Sequence, residues 1–175
     1  MRNWFGPLLL GVLVAAGTTY ASIRAIPYGL MNIAIDRLGQ GGTNSMSYGN
    51  LATPERQPVV RPSPDLAYSS CPYNISEGPI EIDVAPVPGR YMSLSIFDAA
   101  TDVIFVRNDV QAGGKRFRII VARDGQAVPK GTEVVRTNHD HGIALIRLLL
   151  KDPAEIGGLD AVRRQSSCRL VTNQK

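Results

Sequence analysis

The sequence predicts a mainly β protein: a β-sandwich or jelly-roll-like domain with one C-terminal helix, preceded by an N-terminal transmembrane helix. Eight prolines between Pro54 and Pro88 exclude long helices from that stretch. Beyond it, apolar and polar residues alternate in several short segments, which is the pattern of half-buried strands. Residues 4–23 carry no charge and indicate the membrane helix.

The first predicted element is a membrane anchor over residues 4–23. As a helix, this segment rises about 30 Å, which matches the hydrocarbon core of a bilayer, so membrane lipid is its expected partner. A cleaved signal peptide is the alternative, but its apolar core is normally about 7–15 residues long and ends in small residues. Thr19-Tyr20-Ala21 fits that ending poorly. The sequence therefore favours an uncleaved anchor.

Charge gives little guidance to the orientation of the anchor, since Arg2 lies on one side of it and Arg24 and Arg37 on the other. We expect the short N-terminus to stay inside, because translocation of the long C-terminal part is the usual outcome for such an anchor. The expected location is the bacterial inner membrane, crossed once, with the C-terminal domain in the periplasm.

After Arg24 the chain stays apolar with helical spacing as far as Asp36-Arg37. This piece either lies flat at the interface or extends the anchor helix, and Pro27 would kink or restart it. Gly39 and the Gly41-Gly42 pair then end the helix and provide a hinge. We therefore divide the chain into an anchor with its juxtamembrane segment, residues 1–38, and an extracytoplasmic β-domain, residues 39–175.

Strands follow in order along the β-domain. Ile80, Ile82 and Val84 alternate with acidic residues, and a Pro88-Gly89 turn leads into a second alternating segment over residues 90–97. We expect these two segments to be neighbouring strands of a meander. Further strands are predicted at residues 103–106 and 117–122. Residues 143–150 are ambiguous, residues 159–165 form the one convincing helix, and residues 170–171 could add a last strand.

The charge balance excludes one class of partner. From residue 38 onward there are 16 Lys or Arg and 14 Asp or Glu, which is too even for a nucleic-acid surface, where basic residues cluster. The glycine pairs Gly41-Gly42 and Gly113-Gly114 lack the flanking residues of a phosphate-binding loop. We expect no nucleic acid and no cofactor.

Several motifs of the β-domain resemble a known family. They are Val59-Val60-Arg61-Pro62-Ser63-Pro64-Asp65-Leu66-Ala67-Tyr68-Ser69, then Gly78-Pro79, Pro88-Gly89-Arg90-Tyr91 and Phe97-Asp98, with Ala144-Leu145-Ile146-Arg147 and Asp160-Ala161-Val162 later. This pattern, over residues 44–170, resembles the family catalogued as domain of unknown function 1254. Ser63 stands where the family usually has asparagine. The resemblance implies a β fold and no established activity.

The same resemblance implies a partner. Longer members of that family carry a second all-β domain, numbered 1214, after the first. This sequence ends at Lys175 without that domain, so we expect a separate protein to supply a 1214-type domain.

The polar positions matched by the resemblance are the candidate ligand-binding residues. An arginine beside carboxylates can bind an anion with two parallel hydrogen bonds. The structural alternative is that Arg90 and Asp98 end one strand and bond to its neighbouring turns, and that Tyr68 anchors a loop as a tyrosine corner does. The candidates are Asp65, Tyr68, Arg90, Tyr91, Asp98 and Arg147.

Histidine and cysteine provide two further possibilities. His139 and His141 would share a face if they lay on a strand and could then bind a metal, but no third ligand is indicated, and a solvated turn is the alternative. Cys71 and Cys168 could form a disulfide outside the cytoplasm or remain two small buried hydrophobic side chains.

Two classes of function remain. The first is a membrane-anchored extracytoplasmic interaction module that pairs with a partner carrying the second domain. The second is a cell-envelope enzyme or small-anion binder with a pocket around Arg90 and Asp98. The sequence contains no nucleophile elbow, favours the first class and leaves open whether the protein is an enzyme.

Overall fold

The computed structural model describes residues 4–55 and 62–171. The Val59-Val60-Arg61 part of the family-like motif lies outside these residues. The described chain begins with the helix α1 (Phe5–Leu38) and continues into nine strands with a short helical passage before the last. The strands are β1 (Ser47–Tyr48), β2 (Leu66–Asn74), β3 (Ile80–Val84), β4 (Met92–Asp98), β5 (Val103–Asn108), β6 (Phe117–Arg123), β7 (Val134–Thr137), β8 (His141–Leu149) and β9 (Ser167–Leu170). A 3-10 turn (Pro153–Glu155) and the helix α2 (Ile156–Arg163) lie between β8 and β9.

The strands form two sheets. The first has the order β1-β2-β8-β4-β5 and is antiparallel throughout. The second has the order β7-β6-β3-β9, in which β6 and β7 run parallel. The protein is therefore mostly β, with a long N-terminal helix and a small C-terminal one.

Both sheets contribute to one hydrophobic cluster. Ile80, Ile82 and Val84 of β3 are fully buried, as are Leu94 and Ile96 of β4. Both strands are found where the alternation predicts them, and in each the apolar residues face this cluster. Neither strand is half-buried, however, because Asp83, Ser93 and Ser95 on the opposite faces are buried as well. The predicted meander is wrong, because β3 and β4 belong to different sheets.

Contacts between the sheets close both sides of the domain. On one side, Arg107 of β5 forms a bidentate ion pair with Glu133, which immediately precedes β7. On the other side, Cys71 of β2 is joined to Cys168 of β9 by a disulfide, with 6.3 Å between the two Cα atoms. The hydroxyl of Tyr48 in β1 also donates to the carbonyl oxygen of Ser166 at 2.5 Å.

The helix α1 has an exposed apolar stretch and a C-terminal part that packs on the first sheet. Within the described residues it is the helix that is long and apolar enough to cross a membrane, and the rest of the chain buries none of its most apolar stretch. Its C-terminal part packs on the first sheet, where Met31 is buried and the Ser70 hydroxyl donates to the Leu38 carbonyl at 3.1 Å. The helix continues through Pro27 without restarting and ends at Leu38, followed by Gly39 as its cap.

Other elements differ from the prediction in detail. Residues 143–150, left ambiguous by sequence, form most of β8, and the helix predicted at residues 159–165 begins earlier, at Ile156. The last strand ends at Leu170, and Val171 follows it with a backbone bond to Pro79. The sequence did not predict the strands β1, β2 and β7.

Candidate functional site

A chain of hydrogen bonds joins α1 to the end of the first sheet. His139, in the turn before β8, donates from Nδ1 to Oδ2 of Asp98 at 2.9 Å. Its other ring nitrogen, Nε2, lies 3.2 Å from the hydroxyl of Tyr28 on α1, and the two rings meet edge-on with centroids 5.8 Å apart. In the tautomer whose Nδ1 carries the proton, Nε2 accepts a hydrogen bond from the Tyr28 hydroxyl. The arrangement Asp98–His139–Tyr28 therefore links α1 to the β-domain.

The backbone holds Asp98 firmly in this arrangement. Its Oδ1 accepts from the amides of Ala100 and Asp102 at 2.9 and 3.0 Å, which orders the turn between β4 and β5. Only 8% of its side chain is exposed. Both oxygens of this carboxylate thus accept hydrogen bonds from the protein itself.

The neighbouring strand ends are packed around a buried tyrosine. The hydroxyl of Tyr73 donates to the carbonyl of Phe97 at 2.9 Å, and burial raises the pKa of this phenol, with Asp98 raising it further. Gly142 fits between them: a Cβ atom there would lie 2.1 Å from the Phe97 oxygen and 2.6 Å from the Tyr73 hydroxyl. The close approach of the strands therefore requires glycine at this position.

The predicted histidine pair does not form a shared site. His139 is bonded to Asp98, whereas His141 bonds through Nδ1 to the carboxylate of Asp140 at 2.6 Å. That hydrogen bond lowers the pKa of Asp140, although burial opposes it. In the described part of the chain, no group of three or more His, Cys, Asp or Glu side chains is placed to hold a metal.

A second polar cluster lies where α2 packs against β1 and β2. The side chain of Arg163 is 5% exposed, and its guanidinium donates to Asp160 and to the carbonyl oxygens of Gly49 and Tyr68. Asp160 also accepts from the exposed Arg164 at 2.5 Å. The hydrogen bond from Arg164 lowers the pKa of Asp160 most, and the bond from Arg163 lowers it further.

Two grooves border this cluster. A groove of about 290 Å³ runs between Asp160, Arg164 and Leu51, and a wider one of about 680 Å³ lies between the end of α1 and β1. Arg37, Tyr48 and Glu55 line the wider groove. Burial raises the pKa of the Tyr48 phenol, while Arg164 and Arg163 oppose that effect. This phenol is therefore neutral and serves to hold the backbone near Ser166.

The structure separates the two residues that were predicted to share a pocket. Arg90 precedes β4 and Asp98 ends it, so the strand places them about 20 Å apart. Arg90 donates from Nη2 to Glu155 at 2.7 Å, and its Nη1 is buried without a partner in the described chain. A pocket made by Arg90 and Asp98 together is therefore not formed.

Of the other matched residues, Tyr68 and Arg147 lie side by side on neighbouring strands, whereas Asp65 and Tyr91 lie elsewhere in the domain. Tyr68 of β2 lies directly opposite Arg147 of β8, and Arg147 donates to the Ser95 hydroxyl at 2.9 Å. The Tyr68 hydroxyl accepts from the amide of Ser63 at 3.0 Å, so it anchors the loop before β2. Asp65 is exposed in a turn, and Tyr91 is 46% exposed beside the end of β8.

Sequence reasoning missed the residues that join the elements. Asp160, Arg163 and Arg164 have the three- and four-residue spacing of helical ion pairs, a signal that was present in the predicted helix. Tyr28 and Tyr48 carry no comparable signal, because each makes its contact with a residue more than a hundred positions away.

A family model described as "Protein of unknown function (DUF1254)" matches residues 43–170. The chain belongs to the DUF1254 family. No curated protein matches it. The expected resemblance is confirmed. The matched residues include Asp98 and His139 as well as Asp160, Arg163 and Arg164, whereas Tyr28 on α1 lies before the match.

One solved structure of a larger protein shows a similar fold. The VPA0106 protein from Vibrio parahaemolyticus matches with a TM-score of 0.63 and 15% identity, over 86% of this chain and 37% of that one. An uncharacterized protein from Burkholderia cenocepacia matches with a TM-score of 0.47 and 14% identity, over 63% of this chain and 32% of that one. The chain thus spans less than two fifths of the Vibrio protein, and the likeness to it concerns the fold alone.

Proposed function

We propose that this DUF1254 protein is a single-pass membrane protein that holds a β-sandwich interaction domain at the outer surface of the bacterial inner membrane. The observation that carries the proposal is the exposure of α1. Side chains such as Leu9, Leu13 and Ile23 are each more than half exposed on this helix, and no other part of the described chain covers its most apolar stretch. Lipid is the solvent in which such a surface is stable.

The disulfide supports a periplasmic location for the domain. Cys71 and Cys168 are bonded to each other, and no free cysteine is present in the described residues. Disulfides persist in oxidising compartments such as the periplasm and are rare in the cytosol. The N-terminus then lies in the cytoplasm.

The partner in this proposal is a separate protein that carries a 1214-type β-domain. A surface suited to it is the outer face of the first sheet, where Tyr91, Val106 and Leu149 are between 42% and 54% exposed. Tyr91 is bonded to Leu149 through the backbone, and Val106 lies opposite Ser95, about 13 Å further along β4. The three residues are thus spread across the neighbouring strands β8, β4 and β5. Exposed apolar patches on a soluble domain commonly mark protein contacts.

The proposal is tested by affinity purification of the C-terminally tagged, full-length protein from detergent-solubilised membranes. The expected result is recovery of one β-protein in stoichiometric amount, reduced in the variant Val106→Asp but not in the matched control Val110→Asp. Val110 is 78% exposed and lies in the loop after β5, so the control carries the same change away from the sheet face. Recovery of the protein alone, as a monomer, would overturn the pairing.

Membrane insertion and sidedness need a separate measurement. We expect the protein to stay in the membrane fraction after alkaline washing, and a protease added to spheroplasts to remove the C-terminal tag. Release by the wash would contradict the anchor, and protection of the tag in intact spheroplasts would contradict the periplasmic location.

A further inference from the structure

The position at which α1 first contacts the β-domain determines how far that domain stands from the bilayer. The apolar run ends at Ile23, and Tyr28 follows five residues later in the same continuous helix. Five helical residues rise about 7.5 Å, and the headgroup layer on each side of the hydrocarbon core is about 5–7 Å thick. Tyr28 therefore lies at the outer boundary of the headgroups.

The helix then runs along the strands of the first sheet. Tyr28 contacts His139, next to the start of β8, whereas Leu38 contacts Ser70 in the middle of β2. Asn74, at the end of β2, pairs with His141 at the start of β8, so the path from Tyr28 to Leu38 follows β2 away from that end. The strands are thus directed along the helix axis, and the end of the sheet near His139 is the end closer to the membrane.

The contact with His139 precedes the glycines that were expected to act as a hinge. Tyr28 and the buried Met31 hold the helix against the sheet before the chain reaches Gly39. The domain consequently cannot swing on those glycines while these contacts persist.

The loops at this end form one connected surface, which we call the membrane-proximal rim: residues 75–79, 99–102, 124–126 and 138–140. The amide of Ile75 donates to the Asp140 carbonyl at 2.7 Å, and the Gln126 side chain donates to the Ile75 carbonyl at 2.6 Å. Asp98 joins the second loop to His139. The rim is therefore held together by hydrogen bonds between its loops.

The chemistry of the rim suits the headgroup layer. Its exposed side chains are polar, and none of the large apolar side chains exposed in the described chain lies in these loops. These loops contain no Lys or Arg, so their carboxylates can accept hydrogen bonds from headgroup amines and glycerol hydroxyls, while their hydroxyl and amide groups can donate to phosphate oxygens. The loops have no large exposed apolar side chain to insert into hydrocarbon. The exposed polar residues are Ser76, Glu77, Thr101, Asp102, Asp124 and Asn138.

We propose that the membrane-proximal rim rests on the lipid headgroup layer and that the domain stands upright, with its strands along the membrane normal. This inference rests on the proposed membrane anchoring. The strand β2 is nine residues long, so the opposite end of the domain lies about 30 Å further from the bilayer.

Site-specific fluorescence quenching tests this orientation. The full-length protein, with its disulfide intact, is labelled at Ser76→Cys or Asn138→Cys in the rim, or at Val110→Cys in the distal loop, and reconstituted in phosphatidylcholine vesicles containing a nickel-chelating headgroup lipid. All three positions are exposed and lie outside the strands. We expect several-fold stronger quenching by headgroup nickel at both rim positions than at Val110→Cys.

Two further variants distinguish a failure of the membrane anchoring from a failure of the upright orientation. A label at Val14→Cys, in the middle of the apolar run, is expected to be shielded from water-soluble iodide, and if it is not, the membrane anchoring itself fails. If Val14→Cys is shielded but rim and distal labels are quenched equally, the upright orientation is overturned. Tyr28→Phe removes the hydroxyl that faces His139. It should reduce the difference in nickel quenching between the rim labels and the distal label. An unchanged difference would contradict the role of this contact in orienting the domain.

Discussion

At Gly142 a single added carbon atom has no room. The nearest atoms to a Cβ would be the carbonyl oxygen of Phe97 and the hydroxyl of Tyr73, both closer than real Cβ contacts allow. We predict that Gly142→Ala destabilises the domain by about 3 kcal/mol, because overpacking forces the β4–β8 backbones apart and breaks the Tyr73 hydrogen bond. Denaturant unfolding of the detergent-solubilised protein measures the change.

Gly78→Ala is the matched control for this prediction. Gly78 also lies near a strand end, but a Cβ there meets no atom within 4 Å. Its substitution should change the free energy of unfolding by less than about 0.5 kcal/mol. Equal effects of the two substitutions would show that the close approach of β4 and β8 is not maintained.

The neighbouring arginines Arg163 and Arg164 make a second residue-scale comparison, because both bind Asp160 but differ in burial. The Arg163 side chain is 5% exposed and that of Arg164 is 53% exposed. Arg163→Ala also leaves the carbonyls of Gly49 and Tyr68 without this donor, so we predict a loss of about 3 kcal/mol. Arg164→Ala should cost about 1 kcal/mol or less. Thermal unfolding of both variants measures the two losses of stability. Similar losses would contradict a greater structural role for the buried Arg163 than for the exposed Arg164.

The carboxylates held by arginine predict a loss of stability in acid. The hydrogen bond from Arg164 lowers the pKa of Asp160, and that from Arg107 lowers the pKa of Glu133. A carboxylate with a lowered pKa in the folded state stabilises the protein above the unfolded pKa, which is about 4. That stability is lost as the pH falls through the folded pKa.

We therefore expect the melting temperature to fall as the pH is lowered below about 4, and the fall to be smaller in Asp160→Asn than in the wild type. Asp65→Asn removes an exposed carboxylate from a turn and is the control. The measurement is a series of melting curves between pH 3 and pH 6. The same fall in Asp160→Asn and in the wild type would contradict the contribution of this ion pair.

Among the elements, β2 and β9 are joined covalently. The disulfide between Cys71 and Cys168 connects the first sheet to the second and spans 97 positions of sequence. In the chain-entropy model, a loop of that length contributes about 4.7 kcal/mol at most, because it restricts the unfolded chain. We predict that the double variant Cys71→Ser, Cys168→Ser unfolds at a clearly lower temperature than the wild type.

A reducing agent provides the internal control for the disulfide prediction. Dithiothreitol should lower the melting temperature of the wild type towards that of the double variant and leave the double variant unchanged. If reductant and substitution both leave the melting temperature unchanged, the disulfide does not stabilise the domain.

The strands with clear alternation were predictable from sequence, and their pairing was not. Ile80, Ile82 and Val84 identify β3 correctly, since a period of two is a local property. Its neighbours are β6 and β9, the latter 80 or more positions away, and no local signal encodes such a pairing. The Pro88-Gly89 turn suggested a meander, but the chain uses it to cross from one sheet to the other.

Two strands, β2 and β7, were missed for physical reasons that the structure shows. The sequence of β2 does not alternate apolar and polar residues, because Ser69 and Ser70 are adjacent and Pro72 follows them. The strand β7 is four residues long and runs parallel to β6. For the candidate site, the sequence identified Asp98 and His139 separately. Their contact through a turn and a strand end depends on the tertiary structure.

In the whole molecule, α1 combines the proposed membrane anchor with a segment that packs on the domain. Large apolar side chains are exposed along α1 as far as Ile33, but in its later part Met31 is 4% exposed and Tyr28 is bonded to His139. Ile143 of β8 is also 4% exposed, in the sheet that α1 contacts. The segment of residues 24–38 should therefore act as part of the domain, although its sequence continues the anchor.

This division predicts different results for two N-terminal truncations. A variant that begins at Arg24 loses the apolar run but keeps the helical segment on the sheet, so its β-domain should melt at the temperature of the full-length protein. A variant that begins at Gly39 loses the burial of Met31, which is worth about 2 kcal/mol. We expect it to melt about 5 °C lower or more, and to bind a hydrophobic dye at the uncovered sheet face. Equal melting temperatures for the two truncations, with no dye binding by the shorter one, would mean that residues 24–38 serve only as a tether. In that case the contacts of Tyr28 and Met31 would not stabilise the domain, and the helix would not determine its orientation at the membrane.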